Sequence, residues 1–261
     1  MALWYNTGRH WQQISFARDN SNLKGILVCS GPSLNKINKS ELPGIGKRIF
    51  GLNNTYPDVK PDVWIGMDRS FCYDGKLFDE PFVKILRRGY GKEKRGTRKI
   101  NTLTNLYYAD VKEGDRINLF KHRNHDTKFV WHKNTMATAL HIMVWMGHRE
   151  IYLAGCDLDN SQQPYFNKLK LSKSQRQRNQ KLHNQLFGYL EWFISAAKPY
   201  GIELYSMSPR SRINTLMEYV SLRDLNREIK RGLRKRGPRD HSSLVAKQHH
   251  AKKQRIENEK A

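Results

Sequence analysis

The chain runs to 261 residues and carries 47 Lys and Arg against 24 Asp and Glu, a formal net charge of +23. That length suits one sizeable α/β domain with appendages, and the charge points to phosphates, nucleic acid or an anionic membrane surface as partners. Three widely separated cysteines (Cys29, Cys72, Cys156) speak against a disulfide scaffold or a Cys-x-x-Cys metal site, and the MALWYNTGRHWQQ start against a secretory signal. The longest apolar stretch, 139–146, is too short to span a bilayer and contains His141, so the expectation is a soluble, cytosolic protein.

Residues 1–22 are aromatic and polar without a clear period and read as an N-terminal arm. A first strand is expected over 25–29, followed by a helix over 33–40 with Ser33 as its cap. Further short strands fall at 48–52, ending on Asn53 and Asn54, at 63–67, ending on Asp68, and at 127–131. An apolar helical face spans 135–146 and Gly147 ends it; the strongest strand signal follows at 150–155. A helix over 183–197 with Leu186, Tyr189, Leu190, Phe193 and Ile194 on one face precedes a strand at 202–207. Strands alternating with helices point to an α/β fold with a mostly parallel sheet and helices on both faces. The main domain is placed at 23–220, with a variable segment near 160–182, and a basic tail at 221–261.

The charge is concentrated. The tail carries 13 basic and 5 acidic residues, starting as a basic helical segment, DLNREIKRGLRKR. The run KILRRGYGKEKRGTRK over 84–99 has eight basic residues and one acid, and 168–181 is a third run. Within the second, Arg87, Arg88, Lys92, Lys94, Arg95 and Arg98 are the candidates for gripping a polyanion.

In open parallel sheets, ligands collect beyond the carboxyl ends of the strands. The residues there are Ser30, Gly31, Pro32 and Ser33; Asn53 and Asn54; Asp68; Asn134 and Thr135; Asp157 and Asp159; and Ser208, Pro209 and Arg210. Hydroxyls, amides and carboxylates at six strand or helix ends suit a nucleotide or sugar pocket. A glycine lets a ligand approach the backbone, and a helix start offers N–H groups to phosphate. Neither the P-loop pattern nor Gly-x-Gly-x-x-Gly is present.

These motifs carry a resemblance. Cys29-Ser30-Gly31-Pro32-Ser33-Leu34 resembles the Gly-x-Gly-Pro-Ser-Leu start of bacterial lipooligosaccharide sialyltransferases. MGHREIYLAGCDLD (146–159) is similar to their late strand, and YGIELYSMSPRS (200–211) to their closing strand. The related flagellin glycosyltransferase and pterin pyrophosphokinase-like proteins share the Gly-Pro-Ser-Leu start and a Pro-Asp…Asp segment, matched here by Pro61, Asp62 and Asp68. The resemblance implies a Rossmann-like domain moving a sugar from a nucleotide-activated donor, commonly CMP-linked, without an obligatory metal or other cofactor. It implies that Gly31, Pro32 and Ser33 hold the nucleotide, that Asn53 or Asn54 meets its base or ribose, and that Tyr165 reaches the donor phosphate. It implies His183 as general base toward the acceptor hydroxyl, a task that suits a side chain titrating near neutrality. Asn134 and Thr135 stand near the family's Ser/Thr-Gly turn without its glycine.

Asp157 and Asp159 also form an Asp-x-Asp, a pattern that can hold Mg²⁺ or Mn²⁺; a structural or substrate-orienting Asp157 is the favoured reading. Three functions stay open: a transferase acting on a saccharide, with the tail at a membrane surface; a transferase acting on modified DNA bases; and a non-catalytic nucleotide- or nucleic-acid-binding module.

Overall fold

A computed structural model describes residues 3–6, 11–14, 22–90, 93–95, 98–100, 103–113, 128–132, 134–159, 165–167 and 171–236. The strands, in chain order, are β1 (Leu3–Asn6), β2 (Trp11–Ile14), β3 (Lys24–Val28), β4 (Lys47–Leu52), β5 (Val63–Gly66), β6 (Val83–Arg87), β7 (Lys94–Arg95), β8 (Arg98–Lys99), β9 (Leu106–Ala109), β10 (Val111–Glu113), β11 (Phe129–Trp131), β12 (Glu150–Ala154) and β13 (Glu203–Ser206). Three α-helices are present among the described residues, α1 (Thr135–Trp145), α2 (Lys173–Ala197) and α3 (Leu222–Arg236). Two compact units result, Met1–Leu222 and Arg223–Ala261.

Nine strands form one sheet in the order β13-β12-β3-β4-β5-β6-β9-β1-β2. From β13 to β9 every pairing is parallel, and β1 and β2 add an antiparallel edge. The chain order therefore reverses between β3 and β12: successive strands move one way from β3, and the last two lie on its other side. That reversal is the switch point at which open α/β sheets leave a crevice.

The register puts Leu27, Phe50, Ile65, Ile85, Ile151 and Leu204 on one face, packed with α1 and α2 in a single apolar cluster. α1 is buried nearly all round, as befits a helix of uniformly apolar sequence placed in a core. α2 buries only its second half, through Leu186, Tyr189, Leu190, Phe193 and Ala197 at helical spacing. The opposite face carries Trp64, Leu86, Leu106 and Tyr108, covered by Tyr56, Tyr73, Leu77 and Phe78 from single-turn 3-10 segments and the residues that end them. The α/β fold with helical cover on both faces is thus present, with α-helices on one side and 3-10 turns on the other.

Several local expectations are corrected. The helix expected over 33–40 is two short 3-10 turns, Pro32–Lys36 and Lys39–Glu41. Gly31, not Ser33, occupies the cap position of the first; it has no side chain to cap with, and the Ser33 N–H is taken instead by the Asp157 carboxylate. α2 starts ten residues before His183, set by a capping box in which Ser172 Oγ accepts from Gln175 N–H and the Gln175 side chain accepts from Ser172 N–H. The segment 84–99, read as a basic loop, begins as β6. Its Lys84 is fully buried, donating to the carbonyl oxygens of Glu80 (2.5 Å) and Phe82 (3.0 Å). Part of the segment read as an N-terminal arm supplies β1 and β2. Lys92, Thr127, residues 160–164 and 168–170 of the variable segment, and the tail after 236 lie outside the described residues. Among the described residues, no helix is long and apolar enough to cross a membrane.

Candidate functional site

A cleft of about 190 Å³ opens at the switch point, between the ends of β3 and β12 and the middle of α2. Its floor is apolar: Cys29, Leu52, Met136, Cys156 and Leu186 line it. The Cys156 thiol donates to the Met136 sulfur at 3.5 Å and is in contact with Cys29; that contact, together with burial, pushes the Cys156 pKa well up. The polar groups around it come from separate elements, Ser30, Asn53, Asn134, Asp157, Tyr165 and His183, joined by Asp159 and Asn179.

The two strand ends are locked together. Cys29 N–H donates to Ala154 O (2.7 Å) and Gly31 N–H to Gly155 O (2.7 Å). Gly31 has ordinary extended backbone. It must be glycine because a Cβ there would collide with Asp157 Oδ2 and lie 2.5 Å from the Gly155 carbonyl oxygen. Gly155 has φ of +67°, and a Cβ on it would strike the Cys29 carbonyl oxygen. The strand-end pattern assigns Gly31 to a ligand; its first duty is the crossing of two backbones.

Asp157 holds this crossing from the other side. Its Oδ2 accepts the Ser33 N–H at 2.9 Å, while the buried Ser33 hydroxyl faces the same carboxylate without a hydrogen bond of ordinary geometry. Burial raises the Asp157 pKa above its ordinary value, and the Ser33 N–H opposes that rise. The backbone around Asp157 is fixed by the loop after β13: Ser208 Oγ accepts from Cys156 N–H (2.9 Å), and Ser211 Oγ donates to Cys156 O (2.7 Å), with Asp157 O at 3.1 Å. The Ser208-Pro209 turn thus supports the β12 end and does not line the cleft.

Asn53 enters the cleft from the end of β4 with φ of +47°, its carbonyl oxygen held by the Trp64 indole N–H at 2.8 Å. Asn134 caps α1, its Oδ1 accepting from Met136 N–H at 2.8 Å, so the positive end of that helix dipole opens on the cleft. Residues 165–167 are pinned to the β3 end: Phe166 N–H donates to Ser30 O (3.0 Å) and Asn35 Nδ2 to Phe166 O (2.9 Å). This sets Tyr165 at the cleft, where Asn179 Nδ2 donates to its hydroxyl at 3.0 Å.

His183 faces the cleft from α2, and its buried Nδ1 has no hydrogen-bond partner among the described residues. Burial lowers its pKa below the ordinary 6.5; Asp159 opposes this and Arg212 adds to it. The imidazole is therefore neutral near pH 7 and able to take a proton.

Of the residues singled out from sequence, Ser30, Gly31, Asn53, Asn134, Asp157, Asp159, Tyr165 and His183 converge on the cleft. Pro32, Ser33, Asn54, Asp68 and Thr135 do not line it. Pro32 and Ser33 shape the turn, Thr135 is buried in the first turn of α1, and Asp68 N–H donates to Tyr73 OH (2.9 Å). Asn179 escaped the sequence reading, although the Ser172-x-x-Gln175 capping box places it one turn before His183 on the same face. Among the described residues no cluster of three or more His, Cys, Asp or Glu side chains is arranged to hold a metal.

The polyanion candidates divide. Arg87 lies over the Trp131 ring (5.6 Å) and the Tyr90 ring (6.0 Å). Arg88 pairs with Asp110 at 3.2 Å and lies over Trp4 (4.3 Å) and Trp11 (5.4 Å), so it binds the β1–β2 edge to the body. Lys94 is exposed, and Arg95 is paired with Arg98 across the β7–β8 ribbon.

No protein-family model and no curated protein matches the chain. Among the solved structures that resemble it in overall path are several of the sialyltransferase CstII. One, in complex with CMP, gives 17% identity and a TM-score of 0.47 over 76% of this chain and 86% of that one. The Campylobacter jejuni enzyme with the substrate analogue CMP-3FNeuAc gives 16% and 0.48, over 76% and 87%. A complex with a trisaccharide acceptor and CMP gives 15% and 0.43, over 75% and 85%. What the cleft can do is set by its own side chains.

Proposed function

We propose that the cleft binds a nucleotide-activated sugar and that the protein transfers the sugar to an acceptor hydroxyl, with His183 as general base. The observation that carries this reading is the meeting, at the sheet's switch point, of a helix N-terminus with a neutral histidine whose buried nitrogen lacks a partner among the described residues. The α1 N-terminus and the Tyr165 hydroxyl suit the donor phosphate. Asn53, whose backbone is held rigidly, suits the ribose or base. In the transfer, the acceptor hydroxyl gives its proton to the His183 imidazole as its oxygen bonds the anomeric carbon. The bond from that carbon to the phosphate oxygen breaks, and the nucleotide leaves with the electron pair. Asp157 acts by positioning: it fixes the Gly31–Ser33 turn and the β12 end that form one wall. The strand-end motifs favour a CMP-linked donor.

A thermal-shift series with CMP, UDP, GDP and CMP-sugars, with and without Mn²⁺, tests the reading. A CMP-type ligand is expected to raise the melting temperature most. No shift with any nucleotide would overturn it.

A further inference from the structure

Two basic elements rise from the same edge of the sheet as the cleft. The first is the β7–β8 ribbon. Its backbone register sets Lys94 opposite Lys99 and Arg95 opposite Arg98, and all four strand residues are basic. A two-stranded ribbon this short has little of its own to hold it. The ribbon is nevertheless tethered: Ile100 N–H donates to Glu93 O at 3.1 Å, and Glu93 Oε2 accepts both the N–H (2.9 Å) and hydroxyl (2.7 Å) of Ser70, beyond the carboxyl end of β5. The carboxylate next to Lys94 in the chain is thereby committed to the ribbon's foot.

The second is the first half of α2. Lys173, Arg176, Arg178 and Lys181 are all exposed, and the helix has no acidic residue before Glu191. Among the described residues none of the four pairs with a carboxylate. Arg176, Asn179 and His183 follow one another at helical spacing along one face, so the basic stretch leads into the cleft. The composition distinguishes partners. A membrane-surface helix needs an apolar face, and the only apolar residue over 173–184 is Leu182, which lines the cleft. Gln175, Gln177 and Gln180 stand between the cations. Interleaved amides and basic groups are what phosphate and base edges accept.

We infer that a nucleic-acid strand binds along this edge, held by the β7–β8 ribbon and the first half of α2, and brings its own substituents to the cleft. The role of the bound strand as acceptor rests on the sugar-transfer reading; its binding does not.

The test is anisotropy of the full chain with a labelled mixed-sequence oligonucleotide, single-stranded and duplex, across about 50–200 mM salt. Two variants are compared with the parent, Arg176→Glu/Arg178→Glu/Lys181→Glu and Lys94→Glu/Lys99→Glu, with Arg227→Glu/Lys230→Glu/Arg231→Glu on α3 as a control. The expected result is salt-dependent binding, weakened about tenfold or more in the first two variants. The salt slope should become shallower by about 0.7–0.9 for each phosphate that the variant no longer neutralises. Equal affinity in those variants, weakening only in the α3 control, or binding to anionic phosphatidylglycerol vesicles without binding to DNA would each overturn the proposal. Melting curves with CMP, run on the same proteins, separate the two ideas. DNA binding without any nucleotide-induced shift removes sugar transfer and leaves the nucleic-acid site; a shift without DNA binding does the reverse.

Discussion

His183 owes its place to a 25-residue helix and its protonation state to burial. Replacing it with Ala or Gln should lower turnover by about 10²–10⁴, while a nucleotide still raises the melting temperature. The sign of its pH dependence follows from the lowered pKa. The base form is lost only as pH falls below the ordinary imidazole value of 6.5, so kcat/KM should be flat near neutrality and drop on the acid side. A profile still rising between about pH 7 and 8 would remove His183 from the role. Gly31 is the second decisive residue. Gly31→Ala forces a methyl group against Asp157 and the Gly155 carbonyl, and overpacking of this kind costs about 1–3 kcal/mol. Urea unfolding should show that destabilisation, and nucleotide binding should weaken with it; a neutral substitution would mean the two strand ends can part freely.

At the scale of elements, the β12 end is an example of one loop serving another. Ser211 supplies the hydroxyl that holds two carbonyl groups of the Cys156–Asp157 backbone and accepts from Ile213 N–H at 3.2 Å. Ser211→Ala leaves buried carbonyl groups unpaired, which costs about 1–3 kcal/mol. The urea midpoint should fall with an unchanged slope, since the surface exposed on unfolding is the same. A change in slope instead would show that the closing loop had come loose as a unit.

For the molecule as a whole, two buried histidines make the core sensitive to acid. His141 and His148 are buried, and burial lowers their pKa values to about 3 and about 4. His141 accepts from Val130 N–H through Nδ1 (3.3 Å) and meets Tyr189 OH through Nε2 (2.5 Å); His148 Nδ1 donates to Leu23 O (3.1 Å). Above about pH 6.5 these groups are neutral in both folded and unfolded chains and contribute no pH dependence. Below it the unfolded chain takes up protons that the folded chain refuses. Stability therefore falls as pH drops from about 6.5 toward 4, by at most about 1.4 kcal/mol per pH unit for each histidine. Melting temperatures measured over that range should decline less steeply in His148→Gln. Parallel curves for variant and parent would show that His148 titrates normally in the fold.

The sequence by itself determined what is local. Apolar runs ending on Gly, Asn or Asp marked β3, β4, β5 and β12, because a buried strand and the turn that stops it have opposite compositions. Ser30, Asn53 and Asp157 were legible for the same reason, as polar residues where apolar runs end; His183 stood out only through the family resemblance. Less was legible where one side chain reverses the apparent character of its segment. Lys84 makes β6 look like a charged loop, and only the fold supplies the two carbonyl oxygens that hold its ammonium. β1 and β2 pair with each other, but only the distant β9, which pairs with β1, joins them to the sheet, and their own residues carry no sign of it. The start of α2 is written in its capping box but masked by a polar, exposed half-helix. Only the tertiary structure decided that β3 lies beside β12, and with it that Gly31 crosses Gly155 and that His183 faces the ends of both strands. That neighbourhood depends on hydrogen bonds between strands far apart in the chain, and the period and composition of either strand carry no record of which other strand it will meet.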